Sequence, residues 1–189
     1  LDYSGISLNQ GSKLLWATAG EPRRRLAVDI PAQLTLPDGF SNPRIFAPGI
    51  LVCRGPGHSS PRDTQDPAMR GLAAHLTARL PLPRKEQDSA PLDRLQPEVA
   101  LIVVADDPDF VCASWDNFLW AAFTRSDPAT DLYGVHESVN CKHWGCSAPL
   151  IMDSRLKSYH APPLEDDPAV ERRIDQWAAP GGPLHGLVY

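Results

Sequence analysis

The clearest pattern along the chain is the run VALIVVADD, residues 99–107, which is apolar and rich in β-branched side chains until it ends in two acids. Its length suits a strand and is too short for a typical helix. Because the run has no polar face, it predicts a strand at the centre of a sheet that is covered on both sides. Shorter runs predict strands at residues 49–53, DLYGVH and PLIMDS.

Three segments combine a helix start signal with helical spacing of apolar residues. Asp66 followed by Pro67 predicts an N-cap and a first helical residue, and Asp167 with Pro168 repeats this signal near the end of the sequence. The first of these helices has an apolar face made of Met69, Leu72, Ala73, Leu76 and Leu80. Ser114 is the predicted N-cap of a helix over SWDNFLWAAFTR, with a buried stripe formed by Phe118, Leu119, Ala122 and Phe123.

This order of elements predicts an α/β fold with a mostly parallel sheet, flanking helices and long Pro-rich connections. The 20 prolines cluster in the connecting segments. We expect residues 1–189 to form a single domain. Within it, residues 1–45 are expected to be an N-terminal arm or strands, with strand candidates at 13–19 and 25–30. Residues 81–97 are polar and bounded by proline, so they are expected to be a surface linker.

The charge and the hydropathy exclude two classes of partner. A formal net charge of −5 argues against general nucleic-acid binding, because neutralising phosphates needs a basic surface. No apolar run approaches the roughly 20 residues that span a bilayer, and the first residues lack a signal-peptide pattern. We therefore expect no membrane partner and a cytoplasmic location, where the four cysteines stay reduced.

The stretch NCKHWGCSAP concentrates residues that bind metals. His136, Cys141, His143 and Cys146 have the spacing H-x4-C-x-H-x2-C, and a structural zinc needs four such ligands. Cys141, His143 and Cys146 are the candidate set, with distant His58 or His160 as a further ligand. A buried, reduced structural role for the two thiols is the favoured alternative. A redox pair is disfavoured because C-x4-C lacks the C-x-x-C spacing.

Asp106, Asp107 and Asp109 follow the predicted central strand, at the usual ligand position of an open α/β sheet. They could hold a metal ion or contact a substrate. The favoured interpretation is a turn whose acids cap the next helix or bind backbone amides. The sequence has no G-x-S-x-G, P-loop, G-x-G-x-x-G or H-E-x-x-H motif, so no complete active site is predicted.

Three segments resemble one known family, and IFAPGILVCRGP is the weakest match among them. VALIVVADDPDF and NFLWAAFTRSDPATDLYG are similar to the C-terminal part of UbiD-type decarboxylases and carboxylases, in which an acid-ended strand precedes a Trp-Ala helix, Thr-Arg and an Asp-Pro-x-x-Asp turn. The matching residues are Asp106, Asp107, Trp120, Ala121, Thr124, Arg125, Asp127, Pro128 and Asp131. The tail resembles aromatic-acid members through Pro149, Asp153, Arg155, Lys157, His160, Ala161 and Pro162. The similarity spans roughly residues 46–186.

The resemblance implies that a prenylated FMN forms an adduct with an unsaturated acid while CO₂ is lost or added. The family's catalytic Glu-Arg-Glu set and its flavin ligands lie in a larger N-terminal part that has no matching segment in this sequence. No catalytic or cofactor-binding residue can therefore be assigned here. The expectation is a separate, non-catalytic small subunit in a hetero-oligomer with a larger UbiD-type catalytic subunit, which holds the prenylated FMN and acts on an aromatic or other unsaturated carboxylic acid.

Aromatic residues and arginine are the usual anchors of protein interfaces. The expected interface residues are Trp115, Trp120, Arg125, Asp127 and Asp131. Core packing of the tryptophans, and a helix-end ion pair and turn for the charged residues, is the competing interpretation. Two other functions stay open at this point. One is a free-standing, zinc-stabilised binding module without enzymatic activity, and the other is an independent enzyme that uses Asp106, Asp107 and Asp109.

Overall fold

The computed structural model describes residues 14–16, 22, 24–81, 95–160 and 167–187. The chain divides into two compact units, Leu1–Tyr159 and His160–Tyr189. Most of the predicted linker at 81–97, and the predicted strand at 13–19 apart from three residues, lie outside the described residues. The remainder of the fold can be compared with the predictions directly.

The first unit is built on a five-stranded sheet. Its strands are β1 Ser41–Ala47, β2 Ile50–Arg54, β3 Leu101–Ala105, β4 Leu132–Asn140 and β5 His143–Asp153, in the spatial order β1-β2-β3-β5-β4. The three central strands β2, β3 and β5 are parallel, and each edge strand is antiparallel to its neighbour. The predicted α/β class with a mostly parallel sheet and flanking helices is confirmed.

Strand β3 occupies the centre, as its unbroken apolar run predicts, and all five of its residues are buried. Val103 lies in register between Val52 on β2 and Met152 on β5. Helix α1, Pro67–Thr77, packs on one face of the sheet. Helices α2, Pro108–Cys112, and α3, Trp115–Thr124, contribute to the core on the other face. Coverage on both faces explains why β3 has no polar position.

The predicted helix starts are confirmed by their capping geometry. The side chain of Asp66 accepts hydrogen bonds from the backbone N–H groups of Ala68 and Met69, and Ser114 accepts one from Asn117. Asp167 caps α4, Pro168–Ala178, in the second unit by accepting from Ala169. These short side chains satisfy N–H groups that have no partner within the first turn.

Two local predictions are wrong, and one is incomplete. Residues 25–30 are not a strand and form only an isolated bridge, Leu26 with Glu98. The edge strand is instead β1, which pairs with β2 through a turn at Pro48 and Gly49. The segment DDPDF, interpreted as a turn with capping acids, also includes the start of the short helix α2, which Asp107 caps. The buried stripe of α3 is Phe118, Ala121 and Ala122, whereas Leu119 and Phe123 are exposed.

The stretch NCKHWGCSAP is the end of a long β-hairpin. β4 and β5 pair from Leu132 with Met152 out to Asn140 with His143. Cys141 and Lys142 form the turn with φ angles of 48° and 67°, which is the left-handed backbone that a two-residue hairpin turn requires.

Candidate functional site

The carboxyl ends of the parallel strands, where open α/β sheets usually bind ligands, are filled by charged side chains of the protein itself. We define the buried ion cluster as Asp66, Asp131, Asp153, Arg155 and Lys157, all of which are buried. Asp153 ends β5, and Arg155 and Lys157 follow it at alternate positions. Burying a charge is costly unless it is paired and hydrogen-bonded, so the geometry of each pair decides what the cluster does.

Arg155 is the centre of the cluster and is inaccessible to solvent. Its Nε and Nη2 donate to the two carboxylate oxygens of Asp153 at 2.8 and 2.7 Å, which is a bidentate pair. Nη2 also lies 3.1 Å from Asp66 Oδ1, and Nη1 donates to the carbonyl of Pro56 at 2.7 Å. Burial disfavours the guanidinium charge, but the hydrogen bonds and charges of the two carboxylates outweigh it and raise the pKa of Arg155.

Lys157 joins the end of β5 to the loop that follows α3. Its Nζ lies 3.1 Å from Asp131 Oδ2 and donates to the carbonyl oxygens of Arg125 at 2.6 Å and Asp153 at 3.0 Å. The backbone N–H of Asp127 also donates to Asp131 Oδ2, which closes this loop on itself. Burial is the largest influence on Asp131 and raises its pKa, although Lys157 opposes the shift.

Asp66 connects the cluster to α1. Besides capping that helix, its carboxylate accepts a hydrogen bond from Ser60 Oγ at 3.1 Å, and its backbone N–H donates to the hydroxyl of Tyr133 at 2.7 Å. Burial raises the pKa of Asp66, but the charge of Arg155 and the hydrogen bonds outweigh it, so the pKa is lowered overall. Burial raises the pKa of Tyr133 to about 12.

The loop after β2 closes over Arg155 because Gly55 has no side chain. A Cβ at Gly55 would lie 2.9 Å from Arg155 Cδ and 2.5 Å from Val104 Cγ1. Further along this loop, His58 is almost fully buried, with Nε2 3.9 Å from Asp66 Oδ2. Among the described residues, His58 Nδ1 and Ser154 Oγ are buried polar side-chain atoms without a hydrogen-bond partner. Apart from these two atoms, the buried polar side-chain atoms described at the carboxyl edge have hydrogen-bond partners within the chain.

The three acids predicted at the end of the central strand are each committed to a structural partner. Asp106 accepts from the backbone N–H of Leu156 at 2.6 Å and pairs with Arg125 at 3.4 Å. Asp107 caps α2, and Asp109 pairs with Arg44. The favoured interpretation as capping and turn acids is confirmed for Asp107.

The structure does not gather the predicted zinc ligands into a site. Cys141 and His143 are exposed at the hairpin end, and Cys146 is half-buried against Gly134. Within the described ranges, no group of three His, Cys, Asp or Glu residues has an arrangement that could hold a metal ion. The structural zinc stays a prediction. The alternative of two buried thiols is wrong for Cys141, because a hairpin turn exposes its side chain.

The expected interface residues fall into two environments. Trp115 and Trp120 are 54% and 50% exposed, and the Arg125 guanidinium lies 4.8 Å from the Trp120 ring centroid. Asp127 begins the turn after α3, and Asp131 is buried beside Lys157. The tryptophans are therefore available at the surface, whereas Asp131 makes its ion pair inside this unit.

The buried ion cluster as a unit is not predicted by the sequence. Asp153, Arg155 and Lys157 match residues in the tail of the UbiD-type family, but this match assigns them no structural role. One local signal could have indicated the cluster. Charged residues alternate immediately after the apolar strand PLIMD, and alternate residues of an extended chain lie on the same side of it. Asp66 and Asp131 are not predictable as their partners, because both are distant in sequence.

Four large apolar residues of α3 are exposed. We define them as the outer face of α3: Trp115, Leu119, Trp120 and Phe123. Trp16 packs edge-on against Phe123 with a 5.8 Å centroid separation, and Phe110 packs edge-on against Trp120 at 6.0 Å. No helix among the described residues is long and apolar enough to cross a membrane.

Comparison with known proteins gives distant similarity that covers nearly all of this chain but only about a quarter of each relative. No protein-family model matches the chain. It is 26% identical over 188 residues to a protein of Chlamydia pneumoniae named as a 4-hydroxybenzoate decarboxylase subunit, a match that covers 95% of this chain and 26% of that protein. Uncharacterized proteins of Chlamydia trachomatis and Chlamydia muridarum are each 26% identical, over 92% of this chain and 25% of their own lengths. The chain therefore spans about a quarter of the length of the curated relatives it matches, one of which is named as a decarboxylase subunit.

Proposed function

We propose that this chain is the non-catalytic small subunit of a heteromeric UbiD-type decarboxylase or carboxylase that acts on an aromatic or other unsaturated carboxylic acid. The observation that carries this proposal is the match over 95% of the chain to a protein named as a decarboxylase subunit. The segments with the UbiD-type resemblance, including LWAAFTRSDPATD and DSRLK, are folded into α3 and the loops around the buried ion cluster.

The geometry of the carboxyl edge supports a structural role. Arg155 and Lys157 are fully engaged with carboxylates and carbonyl oxygens, and Asp106 is engaged by Leu156 and Arg125. These side chains bond to one another and to backbone carbonyls of this chain, which suits a domain that holds its own loops in place beside a catalytic partner.

A larger UbiD-type catalytic portion is expected to bind the prenylated FMN and to catalyse the reaction. In the relatives, most of the protein lies outside the matched region. The expected arrangement is a separate large subunit in the cytoplasm. The same assignment of catalysis to the larger portion and of a structural role to this region holds if both lie on one polypeptide.

Reconstitution tests the proposal. The UbiD-type catalytic portion from the same source is isolated and supplied with prenylated FMN, and CO₂ release from a panel of aromatic and unsaturated acids is measured with and without this chain. We expect the flavin to stay with the catalytic portion and turnover to rise when this chain is added. Flavin retention together with CO₂ release by this chain alone would contradict the proposal, as would turnover that is indifferent to the chain.

A further inference from the structure

Helix α3 is apolar on two faces but buried on one. Seven of its ten residues are apolar, and Phe118, Ala121 and Ala122 face the core. Leu119 and Phe123 point away from that core and are 43% and 42% exposed. The polar residues of the helix are Asp116, Asn117 and Thr124, so its exposed side carries more large apolar surface than a helix with a single core-facing stripe normally has.

Three of the four outer-face residues form a row along the helix, next to the exposed Asp116. Trp115, Leu119 and Phe123 are four residues apart and lie in one row, since residues i and i+4 are neighbours on a helix. Trp120 flanks this row and is supported by Phe110 and Arg125. A surface rich in Trp, Phe and Leu with an arginine at its margin has the composition of an interface centre rather than of ordinary surface.

We infer that the outer face of α3 is the surface on which the UbiD-type catalytic portion docks; this inference rests on the proposed function. That occupant is favoured for two reasons. The relatives keep most of their length outside the region matched by this chain, and the relative with a functional name is named as a subunit. The remaining portion is therefore large enough to cover the face, and it accompanies the matched region in the relatives.

The chain itself supports the position of this interface. Trp16 stacks on Phe118 with a 6.2 Å centroid separation and contacts Phe123 edge-on, so it borders the outer face without covering Leu119 or Trp120. Arg125, which flanks Trp120, also lies over the carboxyl edge through its pairing with Asp106 and the bond from Lys157 to its carbonyl. Contacts through Arg125 therefore connect Trp120 on the outer face with Lys157 of the buried ion cluster.

The test compares two apolar-to-charged substitutions at exposed positions. Leu119→Asp changes the outer face at a residue that is already solvent-exposed, and Val139→Asp is the matched control on β4, where Val139 is 73% exposed. Binding to the isolated catalytic portion loaded with prenylated FMN is measured by titration calorimetry. We expect Leu119→Asp to weaken binding by roughly 10- to 100-fold, as for a central interface residue, and Val139→Asp to leave the Kd within about twofold. Trp120→Ala is the second variant, used if Leu119→Asp fails to fold.

The outcomes separate the two proposals. If the unmodified chain does not bind the catalytic portion, the proposed function fails. If it binds and both outer-face variants keep the Kd, the docking surface is wrong while the proposed function stands. A second copy of this chain could cover the outer face instead. Sedimentation velocity of the chain alone tests for such a homodimer. A homodimer that Leu119→Asp dissociates, with binding to the catalytic portion unaffected, would overturn the inference.

Discussion

At the carboxyl edge of the sheet and on the outer face of α3, the usual placement of charged residues outside and apolar residues inside a folded domain is reversed. At the carboxyl edge, five charged side chains are buried. On the outer face, four large apolar side chains are exposed. The charges are stable inside because nearly every polar atom has a partner within the chain. The aromatic side chains of the outer face contact Trp16, Phe46 and Phe110, yet 42–54% of the surface of each stays exposed to solvent.

This difference separates a region that makes its contacts within the chain from a region that is expected to make contacts with a partner. The buried ion cluster satisfies its own hydrogen bonds, so its energetic consequences belong to the folding of this chain. The outer face of α3 gains stability only when something covers it. Substitutions in the cluster should therefore change the free energy of unfolding, and substitutions on the outer face should change association.

The largest expected effect comes from breaking the centre of the cluster. Arg155→Met removes the bidentate partner of Asp153 and leaves this buried carboxylate with Lys157 Nζ at 4.0 Å as its remaining cation. Loss of one partner from a buried ion pair costs roughly 3–5 kcal/mol. Urea denaturation should show this loss in the free energy of unfolding. Arg54→Met is the matched control, since Arg54 is exposed at the end of β2, and we expect a change within about 0.5 kcal/mol. Equal effects of the two substitutions would refute the central role of Arg155.

A smaller loss is expected when the loop over Arg155 is forced away. In Gly55→Ala, the new Cβ would approach Val104 and the Arg155 side chain at 2.5 and 2.9 Å, which requires displacement of packed groups. Overpacking of this kind costs roughly 1–3 kcal/mol. Gly57→Ala in the same loop is the control, because its Cβ would meet no atom within 4 Å. Thermal unfolding measures the Tm of both variants. Equal Tm values for Gly55→Ala and Gly57→Ala would show that the loop over Arg155 is free to move.

The acid dependence of stability offers a third test. The pKa of Asp66 is lowered below 3.8, so its carboxylate contributes stability that is fully present above the unfolded value and is lost as the pH falls through the folded pKa. Asp131 acts in the opposite sense. Its raised pKa favours the folded state below 3.8, and this contribution disappears as the pH rises through the folded pKa. In Asp66→Asn, which keeps a capping side chain, the free energy of unfolding should fall less steeply below pH 4 than in the unmodified chain. Parallel pH profiles would contradict this.

The smallest expected effect concerns the thiols. Cys141 is exposed and Cys53 is buried, with burial raising the pKa of Cys53 to about 12. Because the thiolate is the reactive form, a thiol reagent should modify Cys141 in the native chain and Cys53 only after unfolding. The same measurement tests the zinc prediction. A bound zinc should slow the labelling of Cys141 until a chelator is added, and an unchanged rate together with metal-free protein would remove the zinc site.

The sequence determined the elements whose signals are local. The β-branched run at 99–107 specified a central strand because it has no polar face to expose. Asp66, Ser114 and Asp167 specified helix starts because an N-cap side chain acts within two or three residues of itself. The resemblance of LWAAFTRSDPATD likewise needed only contiguous residues. Each of these predictions depends on interactions that the chain makes with its near neighbours.

Only the tertiary structure decided which residues meet and which face of α3 is buried. Asp66, Asp131 and Arg155 are brought together by the ends of separate elements, and no local pattern encodes such contacts. The stripe of α3 was wrongly predicted because apolar residues occur on both of its faces, so periodicity alone cannot choose between them. The sheet covers one face. The other is left with Leu119, Trp120 and Phe123 exposed, because a single layer of packing can bury only one side of a helix.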